Sequence, residues 1–121
     1  QPNKNIYKSY EKFLETLNLD NWIILYIFFE INLIKELGYD TNLNAFNISS
    51  DLINDFKKIK IDQYIYEVPN FLIKQEIPDV ITKSQIKKSL FFTRSVLLNK
   101  FFIPNSLVFP KSRIFLENYF N

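Results

Sequence analysis

The chain contains no cysteine and no histidine. Thiol nucleophiles, disulfide frameworks, zinc fingers, imidazole bases and imidazole metal ligands are therefore all excluded. It has a single glycine, so neither a P-loop nor a dinucleotide-binding turn can be built from it. Methionine is absent and the first residue is Gln1, which reads as a piece of a longer protein. Arginine occurs only at Arg94 and Arg113. That is too few for bidentate contacts to several bases, which disfavours sequence-specific DNA reading. No signal-peptide pattern opens the chain. The longest dense apolar stretch, Trp22 to Ile34, is interrupted by Glu30 and Asn32 and is too short to span a bilayer. The expected location is the cytoplasm, with no membrane partner.

What is present is a chain of 121 residues, 47% apolar and 17% aromatic. That is enough for one domain with one core, and it excludes intrinsic disorder. Phe, Ile, Asn, Lys and Tyr supply more than half of the residues. AT-rich codons give this composition, so much of the Lys, Asn and Ile content reflects mutational bias. Charge is unevenly divided. From Gln1 to Asp79, 8 Lys face 12 Asp and Glu; from Val80 to Leu116, five Lys and two Arg face no acid at all. The acid-free run reads either as a solvated helix face or as a surface for phosphates or an acidic peptide.

Helical spacing of Ile6, Tyr10, Phe13, Leu14 and Leu17 predicts a first helix from about Asn5 to Leu17. Asn18-Leu19-Asp20 breaks it, and Asp20 can cap a second helix that runs to Leu37 and stops at Gly38 in the left-handed position. This second helix is apolar nearly all round, which predicts a central, buried element, and Glu30 within it then needs a partner. Tyr39 to Asn47 reads as a loop. In Ile48 to Asp62, Leu52-Ile53 and Ile59-Lys60-Ile61 form either a small β-hairpin or irregular turns. Pro69 opens a short helix, Pro69 to Lys74, and Pro78 ends that region. Thr82 and Gln85 have capping-box spacing, opening a long helix to about Phe102 that Pro104 closes. Pro110 starts a last helix, Lys111 to Tyr119. The predicted fold class is mainly α: a small helical domain of about five helices with at most a minor β-hairpin.

On the long helix, Lys83, Lys87, Phe91, Arg94, Leu98 and Phe101 fall within a sector of about 80°. Positive and apolar side chains are mixed there rather than segregated. Either the apolar members are core and the lysine heads reach outward, or the sector is a groove with an apolar floor and cationic walls. Such a groove suits an acidic peptide ending in hydrophobic residues or a strand whose bases stack on Phe. The candidate peptide-binding residues are Lys83, Lys87, Phe91, Arg94 and Leu98, with Arg94 as the clamp for a terminal carboxylate. Lys88, Lys100 and Lys111 are candidates for nucleic-acid or anion contact. Lys111-Ser112-Arg113 sits at a helix start where an anion can be held. Alternatively, Arg113 points inward and forms a structural ion pair with Glu30, which is the favoured reading. The 13 acidic residues show no spacing of a metal or glycosidase pair. The chain therefore reads as non-catalytic, with no metal and no cofactor.

Four segments, taken together, resemble one family. Phe28-Phe29-Glu30-Ile31-Asn32-Leu33-Ile34-Lys35-Glu36-Leu37-Gly38-Tyr39 resembles the "FE-x-x-LL-x-x-LGY" helix of RecO, the bacterial recombination mediator. Val68-Pro69-Asn70-Phe71-Leu72 is similar to its "LPxFL" segment, and Phe92-Thr93-Arg94 to its "F-(T/L)-x-R" helix. Pro110-Lys111-Ser112-Arg113-Ile114-Phe115-Leu116 is similar to the family's C-terminal ending. The resemblance implies a RecO-type helical C-terminal domain without the N-terminal OB-fold. It also implies a role in DNA repair. The partners it implies are the acidic tail of single-stranded DNA-binding protein, RecR, and DNA, the last bound weakly by this piece alone, with RecA loading as the outcome. Many members carry a Cys-based zinc site after the LGY helix; here Asn42 to Asn47 holds no Cys, so zinc is not carried over. The alternative is a helical scaffold or interaction domain without a ligand of its own.

Overall fold

The computed structural model describes residues 5–10, 22–39 and 56–120. Residues 5–10 are helical (α1). They are followed in order by α2 (Trp22–Glu36), β1 (Phe56–Ile61), β2 (Tyr64–Pro69), α3 (Asn70–Lys74), α4 (Lys83–Leu97) and α5 (Lys111–Tyr119). This is a mainly α domain, with one antiparallel hairpin among the described residues. The expected continuation of the first helix to Leu17, the Asp20 cap, Leu52-Ile53 and the Asn42 to Asn47 segment lie outside the described residues.

α2 is the central element. Ile23, Ile24, Tyr26, Ile27, Glu30, Ile31, Leu33 and Ile34 are all buried, Trp22, Leu25, Phe28 and Phe29 are half-buried, and only Asn32, Lys35 and Glu36 are exposed. Its end follows local chemistry. The N–H of Gly38 bonds to the Lys35 carbonyl and that of Tyr39 to the Ile34 carbonyl, at 3.0 and 3.2 Å. This is the paired closure of a Schellman motif, and it requires Gly38 at φ +93°. Tyr39 then turns its hydroxyl to donate to the Lys100 carbonyl, tying the end of α2 to the end of the long helix.

α4 packs between α2 and β2. It begins at a complete capping box: Thr82 Oγ1 accepts from the Gln85 N–H at 3.2 Å, and the Thr82 N–H donates to Gln85 Oε1 at 2.9 Å. The helix continues past Leu97 as a π-helical turn, Leu98–Phe102, closed by Ile103 N–H to the Leu98 carbonyl at 2.9 Å. The regular angular count ends there. Phe101, assigned by that count to the mixed stripe, is instead buried against Phe102, which in turn meets Phe109.

The hairpin differs from its sequence reading in its second strand. β1 contains Ile59-Lys60-Ile61 as expected but pairs with Tyr64–Pro69, with Ile59 opposite Tyr66 and Ile61 opposite Tyr64. Asp62 makes the two-residue turn by adopting φ +56°, a conformation that Asp tolerates better than most residues. Ile59, Tyr66 and Val68 share the buried face, and Tyr66 meets Phe92 of α4 edge-on at 5.2 Å between centroids. Pro69 ends β2 and occupies the N-cap position of α3 rather than its first turn.

A Cβ added at Gly38 would touch nothing within 4 Å, so the cost of Gly38→Ala is purely a backbone cost. Urea unfolding should show a loss of about 1–2 kcal/mol, with no change in the slope.

Candidate functional site

Among the described residues, the core holds one polar centre. Glu30 and Arg113, each fully excluded from water, pair side-on: Arg113 Nε lies 2.6 Å from Glu30 Oε2, and Nη2 lies 3.1 Å from Oε1. The remaining acceptor capacity of the carboxylate is filled by hydroxyls. Tyr10 and Tyr26 donate to Oε2 at 3.1 and 2.9 Å, and Thr93 donates to Oε1 at 2.6 Å. Arg113 Nη2 also donates to the Leu90 carbonyl at 2.9 Å. Burial works against the Arg113 charge, but the adjacent carboxylate outweighs it and raises the guanidinium pKa. Tyr10 and Tyr26 are pushed upward by burial first and by the Glu30 charge second.

The centre is joined to the surface by a chain of alternating charge. Arg113 Nη1 donates to Glu117 Oε1 at 3.0 Å, and the same oxygen accepts from Arg94 Nε at 2.8 Å. Arg94 is thus fixed through Nε and stacked over Phe91 at 5.2 Å. Its two terminal nitrogens make no hydrogen bond among the described residues.

Arg94 and Glu117 stand where two hollows meet. The larger, about 530 Å³, is bordered by Ile65, Tyr66 and Glu67 of β2 and by Lys87, Lys88, Phe91 and Arg94 of α4. The smaller, about 320 Å³, adds an apolar floor of Leu98, Phe109 and Ile114. Phe91, 50% exposed, and Ile65, 59% exposed, give the larger hollow its apolar surface.

Of the residues singled out from sequence, the structure brings Lys87, Phe91, Arg94 and Leu98 to this double groove and adds Lys88. Lys83 is exposed one turn before Lys87 and borders neither hollow. Lys88 bridges to Glu67 at 2.7 Å, which holds that carboxyl below its usual range. Lys100 pairs with Asp62 at the hairpin turn, and Lys111 is exposed at the first turn of α5. Both lie outside the groove. Arg113 is the one buried residue of α5, so its side chain faces the core and not an anion at the helix start. Sequence reasoning missed Glu117 and the β2 wall. The spacing of Arg113 and Glu117, four apart on a helix, is a readable signal for the former.

The family model described as "Recombination protein O C terminal" matches residues 1–60, about half of the chain. Neither a curated protein nor a solved structure matches.

Two measurements check the polar centre. Removing one partner, by Glu30→Gln or Arg113→Met, leaves its mate buried without compensation and should cost about 3–5 kcal/mol in urea unfolding. The double variant should cost clearly less than the sum. The raised Tyr10 and Tyr26 pKa values also fix a sign. Their stabilisation is fully present below about pH 10, where unfolded tyrosines ionise, and is lost as pH rises further. In an alkaline titration, exposed tyrosines should ionise first. The last tyrosinate absorbance should then appear together with the loss of helical circular dichroism.

Proposed function

We propose that this chain, which belongs to the recombination protein O C-terminal family, uses the groove between β2, α4 and α5 to receive the acidic, hydrophobically terminated tail of single-stranded DNA-binding protein. Membership places it in DNA recombination and repair of the RecO type. The observation that carries the tail reading is the position of Arg94. Its fork ends are open, lysines lie to one side of it, and the Leu98–Phe109–Ile114 hollow lies to the other.

A tail that ends in an apolar residue carries a terminal carboxylate within a few ångströms of that side chain. The receptor must therefore set a cation beside an apolar hollow. Arg94 can bind both carboxylate oxygens through its planar fork, while the last side chain enters the smaller hollow. Consecutive aspartates upstream would then run past Lys87 and Lys88, with Lys83 acting at longer range. Glu117 is balanced by Arg94 and Arg113 together, and Lys87, on the same hollow as Arg94, supplies the further positive charge that an incoming carboxylate needs.

RecR contact and RecA loading belong to the same proposal and are supported by the family alone. DNA binding by this chain should be weak, its logarithm falling with log salt by about 0.7 per phosphate contacted on single strands.

Arg94→Ala should weaken binding of a fluorescent tail peptide by about 1.5–3 kcal/mol, the range for a hydrogen bond to a charged group. Lys35→Ala, an exposed cation on α2 that borders neither hollow, should leave affinity unchanged. Equal affinity of the two variants in titrations at moderate salt would refute the proposal.

A further inference from the structure

The larger hollow is bordered by three consecutive residues of β2, Ile65, Tyr66 and Glu67, and by none of β1. Successive strand residues point to opposite faces, so three in a row can border one hollow only along the edge of the strand. β1 occupies the other edge.

The register decides which backbone groups reach the open edge. Ile61 and Tyr64 face each other across the two-residue turn, which makes them a hydrogen-bonded pair, and such pairs alternate with non-bonded ones. Tyr64, Tyr66 and Val68 therefore bond to β1, while Ile65 and Glu67 turn their N–H and C=O groups outward. Pro69, with no N–H to give a ladder, falls in this same outward set. No other described group hydrogen-bonds to the backbone of Ile65 or Glu67.

The two edges are also guarded differently. β1 carries Lys57, Lys58 and Lys60, the charges with which exposed strands resist pairing, whereas β2 carries no lysine. Instead, the open edge of β2 looks across the hollow at Lys87, Lys88 and Arg94 of α4. Lys88 is held there by an exposed bridge to Glu67, a kind of bridge that is easily exchanged for another carboxylate.

We propose that the partner peptide docks in extended form, as a third strand on the open edge of β2. Its backbone would pair with Ile65 and Glu67, and its carboxylates would lie toward the α4 cations. This rests on the tail reading above and adds to it the mode of recognition: backbone pairing supplies affinity, and α4 supplies the preference for acid.

The test uses the whole chain and tail peptides N-methylated at alternate backbone amides, in two complementary sets. One set should bind roughly tenfold more weakly, having lost its donors to the edge, and the other should match the unmethylated peptide. On the protein side, Ile65→Pro removes an outward donor and no hairpin bond. It should weaken the unmethylated peptide while circular dichroism stays unchanged; if that variant does not fold, the methylation arms decide alone. Equal binding of both methylated sets, with Arg94→Ala still weakening the tail, would overturn strand addition and leave the tail site standing. Failure of the unmethylated peptide to bind would overturn both. Concentration-dependent self-association that Ile65→Pro abolishes would assign the edge to a second copy of the chain and overturn the peptide as its occupant.

Discussion

A carboxylate and a guanidinium withdrawn wholly from water govern the arrangement of the helices. Glu30 receives hydrogen bonds from α1 through Tyr10, from its own helix through Tyr26, from α4 through Thr93 and from α5 through Arg113. Each donor must arrive at the right rotation of its helix, because an unmet buried acceptor or charge costs kilocalories. Apolar contacts around Ile27, Leu90 and Phe102 tolerate small rotations of packed helices; this centre does not. Ion pairs of this kind add little net stability relative to a well-packed apolar core. Their effect is to leave one arrangement fully satisfied and its neighbours unsatisfied.

The same centre orients the groove. Arg113 is shared between Glu30 inside and Glu117 outside, and Glu117 is shared between Arg113 and Arg94. Two cations and two anions alternate from core to surface, so no member carries an uncompensated charge. Arg94 would otherwise be a long, flexible side chain on a helix face. Gripped at Nε and laid over Phe91, it loses that freedom before any ligand arrives, which reduces the ordering cost of binding.

Features set by local rules were legible in the sequence. Gly38, the Thr82–Gln85 box and the start of α5 after Pro110 each follow from what a few neighbouring residues can do, and the structure has all three. The α4 stripe was legible up to Leu98, beyond which a π-helical turn alters the residue count per turn in a way that no composition announces. β2 was harder to read. Tyr64–Pro69 ends in proline, and its alternation is weak because Ile65 is exposed. Its identity as a strand comes from packing Tyr66 on α4 and burying Val68, a tertiary fact. The pairings of Lys88 with Glu67 and of Lys100 with Asp62 are likewise tertiary, joining residues 21 and 38 positions apart. Glu117 looked like a lone acid closing a basic run because its value lies in the two arginines the fold brings to it.

The distance along the chain between Glu30 and Arg113 bears on how the protein is made. They are separated by 83 residues, so at ribosomal speeds of about 5–20 residues per second the carboxylate waits roughly 4–17 s for its counter-ion. During that time α2 cannot be sealed into an apolar core without stranding a charge. Closure of the helical core around α2 is therefore favoured once α5 has emerged and Arg113 can meet the carboxylate.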